Sequence, residues 1–224
     1  MSPVAAPVAA DQIGLAPTAE VDALLARFES VPFSRWHTRA RIIVGSATFF
    51  DAFDALSMAY VLPVLAHLWA LSQQQIGLLI GASYVGQVIG ALVFSRLAET
   101  YGRTRSAAAA VAIMSVLSLG CAMAGNFWVL IACRFAQGIG VGGEMPVAAT
   151  YIGELSRAQG RGRYFLLYEM IFPVGLMAAG QIGTWLVPVL GWQIMFLIAA
   201  IPGLIICVLL TRLRAASFNK CAAF

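Results

Sequence analysis

The sequence predicts an all-α membrane protein in which six transmembrane helices form one bundle with both termini in the cytoplasm. Three observations predict it. Of the 224 residues, 61% are hydrophobic and 11% are charged, against about 25% charged in an ordinary soluble domain. The apolar residues gather in six segments of roughly the 20 residues that a helix needs to cross a bilayer. The Lys and Arg residues collect in alternate gaps between those segments.

A soluble chain of this length has too much surface for so few polar residues to cover, and a lipid environment removes that problem. The net charge of +4 does not indicate nucleic-acid binding, because the basic residues form short clusters between apolar segments and not a single basic face. Cys121, Cys133, Cys207 and Cys221 show no metal-ligand spacing, so no metal site and no cofactor are expected. His37 and His67 both fall outside the apolar segments, and no nucleophile–base pair appears, which argues against an enzyme.

The spans are read as 42–65, 77–98, 106–124, 127–153, 164–188 and 192–212, joined by short connections that make sequential neighbours antiparallel. Residues 1–40 form a cytoplasmic tail, 41–213 the six-helix domain and 214–224 an atypical C-terminal tail. The tail begins Ala/Pro-rich and shows no apolar core behind a basic start, so no cleavable signal peptide is expected and the first span acts as the signal. Within it, Val21, Leu24, Leu25 and Phe28 recur at helical spacing and predict a short amphipathic helix.

Lys and Arg resist translocation and mark the cytoplasmic side. Arg27, Arg35, Arg39 and Arg41 precede the first span, and Arg96, Arg103 and Arg105 surround the loop after the second. Arg157, Arg161 and Arg163 fill the loop after the fourth, and Arg212, Arg214 and Lys220 follow the sixth. One topology therefore puts 13 of the 14 basic residues on one side; the exception is Arg134, inside the fourth span.

Small residues let helices approach closely in lipid. Gly86 and Gly90 in the second span, Gly138, Gly140, Gly142 and Gly143 in the fourth, and Gly175, Ala179 and Gly183 in the fifth are read as contact surfaces. The glycine run of the fourth span ends in Glu144-Met145-Pro146, a combination that weakens a helix and suits one that bends.

Five ionisable residues lie within the spans: Asp51, Asp54, Arg134, Glu144 and Glu169. Each costs roughly 2.5–3.5 kcal/mol at a helix centre, so they must be paired, protonated or facing water. Asp54 sits about 18 Å into the first span at 1.5 Å per residue, and Arg134 lies at a similar depth in the fourth, which predicts that they meet. Asp51 and Asp54 share a helix face, as do Arg134 and Gln137; Gln137, Glu144 and Tyr151 continue as a polar stripe. One arginine does not neutralise four carboxylates. Static pairing alone is therefore the weaker reading, and a water-accessible cavity with a carboxylate that gains and loses a proton is the stronger one.

The stretch Arg134-Phe-Ala-Gln-Gly-Ile-Gly-Val-Gly-Gly-Glu-Met-Pro146 resembles the fourth-helix signature of major facilitator superfamily transporters. It is followed by Tyr151-Ile-Gly-Glu154 and Arg161-Gly-Arg163, similar to the sugar-porter-like and metabolite–proton symporter branches. The resemblance implies a cytoplasmic latch at Glu154, Arg161 and Arg163. The segment from Ser95 to Arg105 resembles the superfamily's loop motif in Glu99, Gly102 and Arg103, and departs from it at Ser95, Thr100 and Thr104. Phe50-Asp51-Ala-Phe-Asp54 resembles the paired-aspartate motif of niacin and aromatic-acid carriers. It implies roles for Asp51 and Asp54 in proton coupling or substrate binding, with Arg134 suited to a substrate carboxylate.

The resemblance further implies a twelve-helix fold of two six-helix halves around a midplane site, of which this sequence carries the N-terminal half. The ending Arg214–Phe224 does not follow the family's pattern, so a truncated product is expected. The expected activity is proton-coupled symport of a small organic acid at the inner membrane. Asp51, Asp54, Arg134, Gln137, Glu144 and Glu169 form the substrate and proton pathway, and a second half or a homodimer supplies the opposing bundle. Expected partners are thus a small-molecule substrate, a proton and the lipid bilayer, with no nucleic acid. The alternatives are a sugar or other metabolite carrier and a non-transporting fragment.

Overall fold

The computed structural model describes residues 35–155 and 161–221, with side chains over 38–153 and 162–212. The tail before residue 35, including the expected amphipathic helix at Val21–Phe28, lies outside the described residues. So do the side chains of 214–224.

The described residues are helical throughout, apart from short turns. The helices are α1 (Arg35–Leu68), α2 (Gln73–Tyr101), α3 (Arg103–Ala122), α4 (Phe127–Leu155), α5 (Arg161–Glu169), α6 (Ile171–Leu190) and α7 (Gln193–Cys221). Pro173 has no N–H to give the carbonyl of Glu169, and the helix is interrupted at Met170, so the fifth span consists of α5 followed by α6. Several helices overrun the apolar segments read from sequence. The added turns at the start of α1 and the end of α7 carry arginines, which hydropathy excludes from the hydrocarbon but which remain helical beyond it.

Five of these spans are long and apolar enough to cross a membrane by length and composition, where the sequence predicts six. The sixth, α4, is 29 residues long but interrupts its apolar run with Arg134, Gln137 and Glu144. The buried face of α4 accounts for this, since all three side chains point into the bundle.

Local signals set the helix starts. Ser72 caps α2 in a capping box, its Oγ accepting from Gln75 N at 3.3 Å while Ser72 N donates to Gln75 Oε1 at 2.8 Å. Asn126 Oδ1 accepts from Val129 N at 2.9 Å at the start of α4. A single residue, Gly102, turns the chain from α2 into α3 with φ of 91°, a conformation that favours glycine.

The main contacts pair α2 with α4, α3 with α4 and α7, and α1 with α6 and α7. Exchanging α1 with α4, α2 with the α5–α6 span and α3 with α7 maps these contacts onto themselves, as nested three-helix repeats do. The closest seam is α2 against α4. A methyl group placed on Gly86 or Gly90 would strike the carbonyl oxygens of Phe135 or Ile139, and one on Gly138 or Gly142 those of Ser83 or Gln87. The glycines are reciprocal, so backbone lies against backbone.

Two apolar clusters form the interior. One holds Val44, Phe94, Val111, Ile152 and Tyr168; the other holds Val61, Leu65, Cys121, Leu130 and Trp192. Along α1, α3 and α4 the stretch between the two clusters carries the buried polar residues, including Asp51, Asp54, Ser115, Ser118, Arg134 and Gln137. The outer faces are apolar and exposed, as at Val88, Leu92, Trp185 and Val189, which suits contact with lipid.

Gly142→Ala should therefore destabilise the bundle by about 1–3 kcal/mol through overpacking against the Gln87 backbone. Gly77→Ala, where nothing lies within 4 Å, should leave it unchanged. Unfolding in mixed micelles with increasing denaturing detergent measures both.

Candidate functional site

Three helices build the buried polar layer. On α1 the spacing of Thr48, Asp51, Asp54 and Met58 puts all four on the face toward α4. On α4, Arg134, Gln137 and Glu144 answer them, and on α3 Ser118 and Cys121 close the back.

Arg134 is 3% exposed. Its Nη1 donates to Asp54 Oδ2 at 2.8 Å and to Gln137 Oε1 at 3.0 Å, and its Nη2 approaches Met58 Sδ at 3.1 Å. Gln137 Nε2 donates to the other Asp54 oxygen, Oδ1, at 3.0 Å and is 3.2 Å from Ser118 Oγ. Both oxygens of Asp54 are thus satisfied, and the amide of Gln137 fixes the rotation of the carboxylate against the guanidinium. The Phe196 ring lies beneath the guanidinium at 4.7 Å, adding a cation–π contact in a region without bulk water. Arg134 Nε has no partner among the described residues. The pairing of Asp54 with Arg134 expected from depth along the helices is present.

Asp51 and Glu144 are buried separately from this network. Among the described residues, neither Asp51 oxygen has a hydrogen-bond donor, and Glu144 receives one donor, Thr48 Oγ1 at 3.3 Å on Oε1. Glu169 stands exposed at the end of α5, outside the Arg134 network but within electrostatic range of Glu144.

A cavity of about 380 Å³ lies between α1, α2 and α4; Asp51, Asp54, Tyr84, Gln87, Arg134 and Met145 are among its lining residues. A second, of about 570 Å³, shares Tyr84, Gln87 and Met145 and reaches Thr48, Tyr168 and Glu169.

Of the expected latch residues, Glu99 is exposed at the end of α2, Gly102 forms the α2–α3 turn and Arg103 begins α3. Arg163 is exposed near the start of α5. The side chains of Glu154 and Arg161 lie outside the described residues. Sequence reasoning missed Thr48, Tyr168, Ser118, Tyr84 and Gln87, because it weighed the charged groups in the spans and, among neutral ones, only the Gln137 and Tyr151 stripe of the fourth span. The signal available was a neutral polar residue one turn from a buried charge, as Thr48 is from Asp51.

The sequence profile described as Major Facilitator Superfamily matches residues 44–220. The chain belongs to the major facilitator superfamily. This facilitator chain is 32% identical to the niacin transporter of Acinetobacter baylyi over 84% of its own length and 43% of the relative's. It is 30% identical to the 4-hydroxybenzoate transporter of the same organism, over 82% of its length and 40% of that protein. It is 34% identical to the gallate transporter of Pseudomonas putida over 64% and 32% respectively. The chain thus spans about two fifths of the length of the first two. Solved structures agree on the fold. A bacterial homolog of the human lysosomal transporter Spinster superposes with a TM-score of 0.73 at 19% identity, covering 81% of this chain and 44% of that one. The proton:xylose symporter XylE superposes with a TM-score of 0.72 at 18% identity, covering 79% and 44%. This facilitator chain is accordingly a multi-pass protein of the inner membrane, and its relatives are transporters rather than enzymes.

Removing either partner of the buried ion pair leaves a charge uncompensated. Asp54→Asn and Arg134→Gln should each cost about 3–5 kcal/mol, and the double variant should lose less than the sum. A double-mutant cycle of detergent-unfolding free energies checks this.

Proposed function

We propose that this chain contributes one half of a proton-coupled symporter for a small organic acid of the niacin or aromatic-carboxylate kind. The observation that carries the reading is Arg134, a buried guanidinium that lines the central cavity and keeps an unpartnered Nε. A guanidinium offers a carboxylate two parallel hydrogen bonds, and in a dry cavity such a charge-assisted pair is strong. Asp54 already occupies Nη1, so an incoming carboxylate competes with it. Protonating Asp54 removes that competitor and couples substrate entry to proton entry. The cavity volume falls in the range of small-molecule sites, roughly 300–1,000 Å³. The niacin and 4-hydroxybenzoate transporters among the relatives support the substrate class.

The remaining parts of the reading follow the family's plan. Both termini face the cytoplasm, in keeping with the arginine distribution. Asp51, Asp54, Arg134, Gln137, Glu144 and Glu169 form the substrate and proton pathway. Glu99, Gly102, Arg103, Glu154, Arg161 and Arg163 form the cytoplasmic latch. A second six-helix half, or a second copy of this chain, closes the cavity from the opposite side.

Proteoliposomes carrying the assembled carrier should accumulate labelled nicotinate or 4-hydroxybenzoate under an inward proton gradient, and an uncoupler should abolish the uptake. Arg134→Ala should stop it without loss of membrane insertion, and undiminished uptake would sink the assignment. For orientation, Ser72→Cys should react with an impermeant maleimide added outside intact cells, and Thr100→Cys only after lysis.

A further inference from the structure

The Arg134 network leaves a second group of buried polar atoms without a role. Asp51 is 2% exposed and Glu144 is 1% exposed, and their carboxyls stand within hydrogen-bonding reach of each other. Asp51 Oδ1, Asp51 Oδ2 and Glu144 Oε2 have no donor among the described residues. The buried cation nearby, Arg134, is committed to Asp54. The other charges facing the pair, Asp54 from α1 and Glu169 from α5, are acidic and add to the repulsion. Two ionised carboxylates in contact, buried and without a cation, repel each other; one proton held between them replaces the repulsion with a hydrogen bond.

The pair is also connected. Glu144 Oε1 lies 3.3 Å from Thr48 Oγ1, and Thr48 Oγ1 lies 2.6 Å from the Tyr168 hydroxyl. Asp51 lines the central cavity, while Thr48, Tyr168 and Glu169 line the second. An unbroken row of exchangeable groups therefore runs from one cavity to the other.

We propose that Asp51 and Glu144 form a two-carboxyl site for one exchangeable proton, joined to the Glu169 cavity by a hydroxyl relay through Thr48 and Tyr168. This inference rests on the reading of the chain as part of a proton-coupled carrier. In the loading step Tyr168 donates to Thr48 and Thr48 donates to Glu144. Glu144 Oε1 takes the Thr48 proton, Thr48 takes the Tyr168 proton, and Tyr168 takes one from water in the Glu169 cavity. As many O–H bonds form as break, and the net change is one proton moved from that cavity to the carboxyl pair. Release toward Asp51 and the central cavity completes the passage, and rotation of the two hydroxyls resets the relay.

The test uses the full chain in lipid nanodiscs and reads the infrared band of a protonated carboxyl, which needs no transport. The band should be present at neutral pH, shift or vanish in Asp51→Asn and in Glu144→Gln, and persist in Glu99→Gln, which removes an exposed carboxyl away from the pair. Its exchange in heavy water should slow about tenfold in Thr48→Val and Tyr168→Phe, equivalent to about 1.4 kcal/mol of added barrier. Circular dichroism and unfolding midpoints matching the parent exclude misfolding of the relay variants. A band unchanged in Glu144→Gln overturns the proton site, and unchanged exchange in both relay variants overturns the relay. If the band and its exchange behave as expected while gradient-driven uptake is absent, the proton site stands and the transport reading fails.

Discussion

The burial of Arg134 constrains the rest of the bundle. A guanidinium at this depth requires a counter-charge, and Asp54 supplies it from α1 at 2.8 Å. The second oxygen of Asp54 and the Nη1 of Arg134 bring in Gln137 from α4 and, behind it, Ser118 and Cys121 from α3. The ring of Phe196 on α7 fills the remaining face. Four helices are thereby fixed in rotation about a single cation. Apolar packing alone would not specify that rotation, because lipid accepts an apolar face as readily as a neighbouring helix does.

The polar layer sits between two apolar clusters, each with its own residues from α1, α3 and α4. Each cluster excludes water from one side of the layer, which lowers the local dielectric and strengthens the pairing of Asp54 with Arg134. The central cavity enters the layer between α1, α2 and α4, so its charged groups are shielded by protein on most sides and face that cavity on one. This arrangement buries the charges while the helices keep their lipid-facing surface apolar.

Much of this was legible in the sequence because its signals are strong and local. Apolar runs of spanning length gave the helices, and the seven-residue spacing of Gln137 and Glu144 gave a face of α4. Depth along two helices was enough to pair Asp54 with Arg134, since rise per residue is nearly constant. Less legible was what depends on helix rotation and on neutral groups. Which carboxylate meets which cation cannot be counted from helix ends alone, so Asp51 and Glu144 were placed in the same pathway as Asp54 and not as a separate pair. Thr48 and Tyr168 carry no charge and stood out in no hydropathy window. The apolar shortfall of α4 by composition, and its burial despite that, follow from the same cause, since a span that faces protein does not need to look like one that faces lipid.

The reciprocal glycines between α2 and α4 have a mechanical consequence. Two helices in backbone contact have no side-chain layer between them to deform. Tyr84 and Gln87 on one helix and Arg134 on the other line the same cavity wall, so that wall is built across the tightest seam. Across the cavity stand α1, with Asp51, Asp54 and Met58, and a single residue of the fifth span, Phe172, just past the interruption at Met170. The chain thus sets a close-packed seam on one side of the cavity and an interrupted helix on the other.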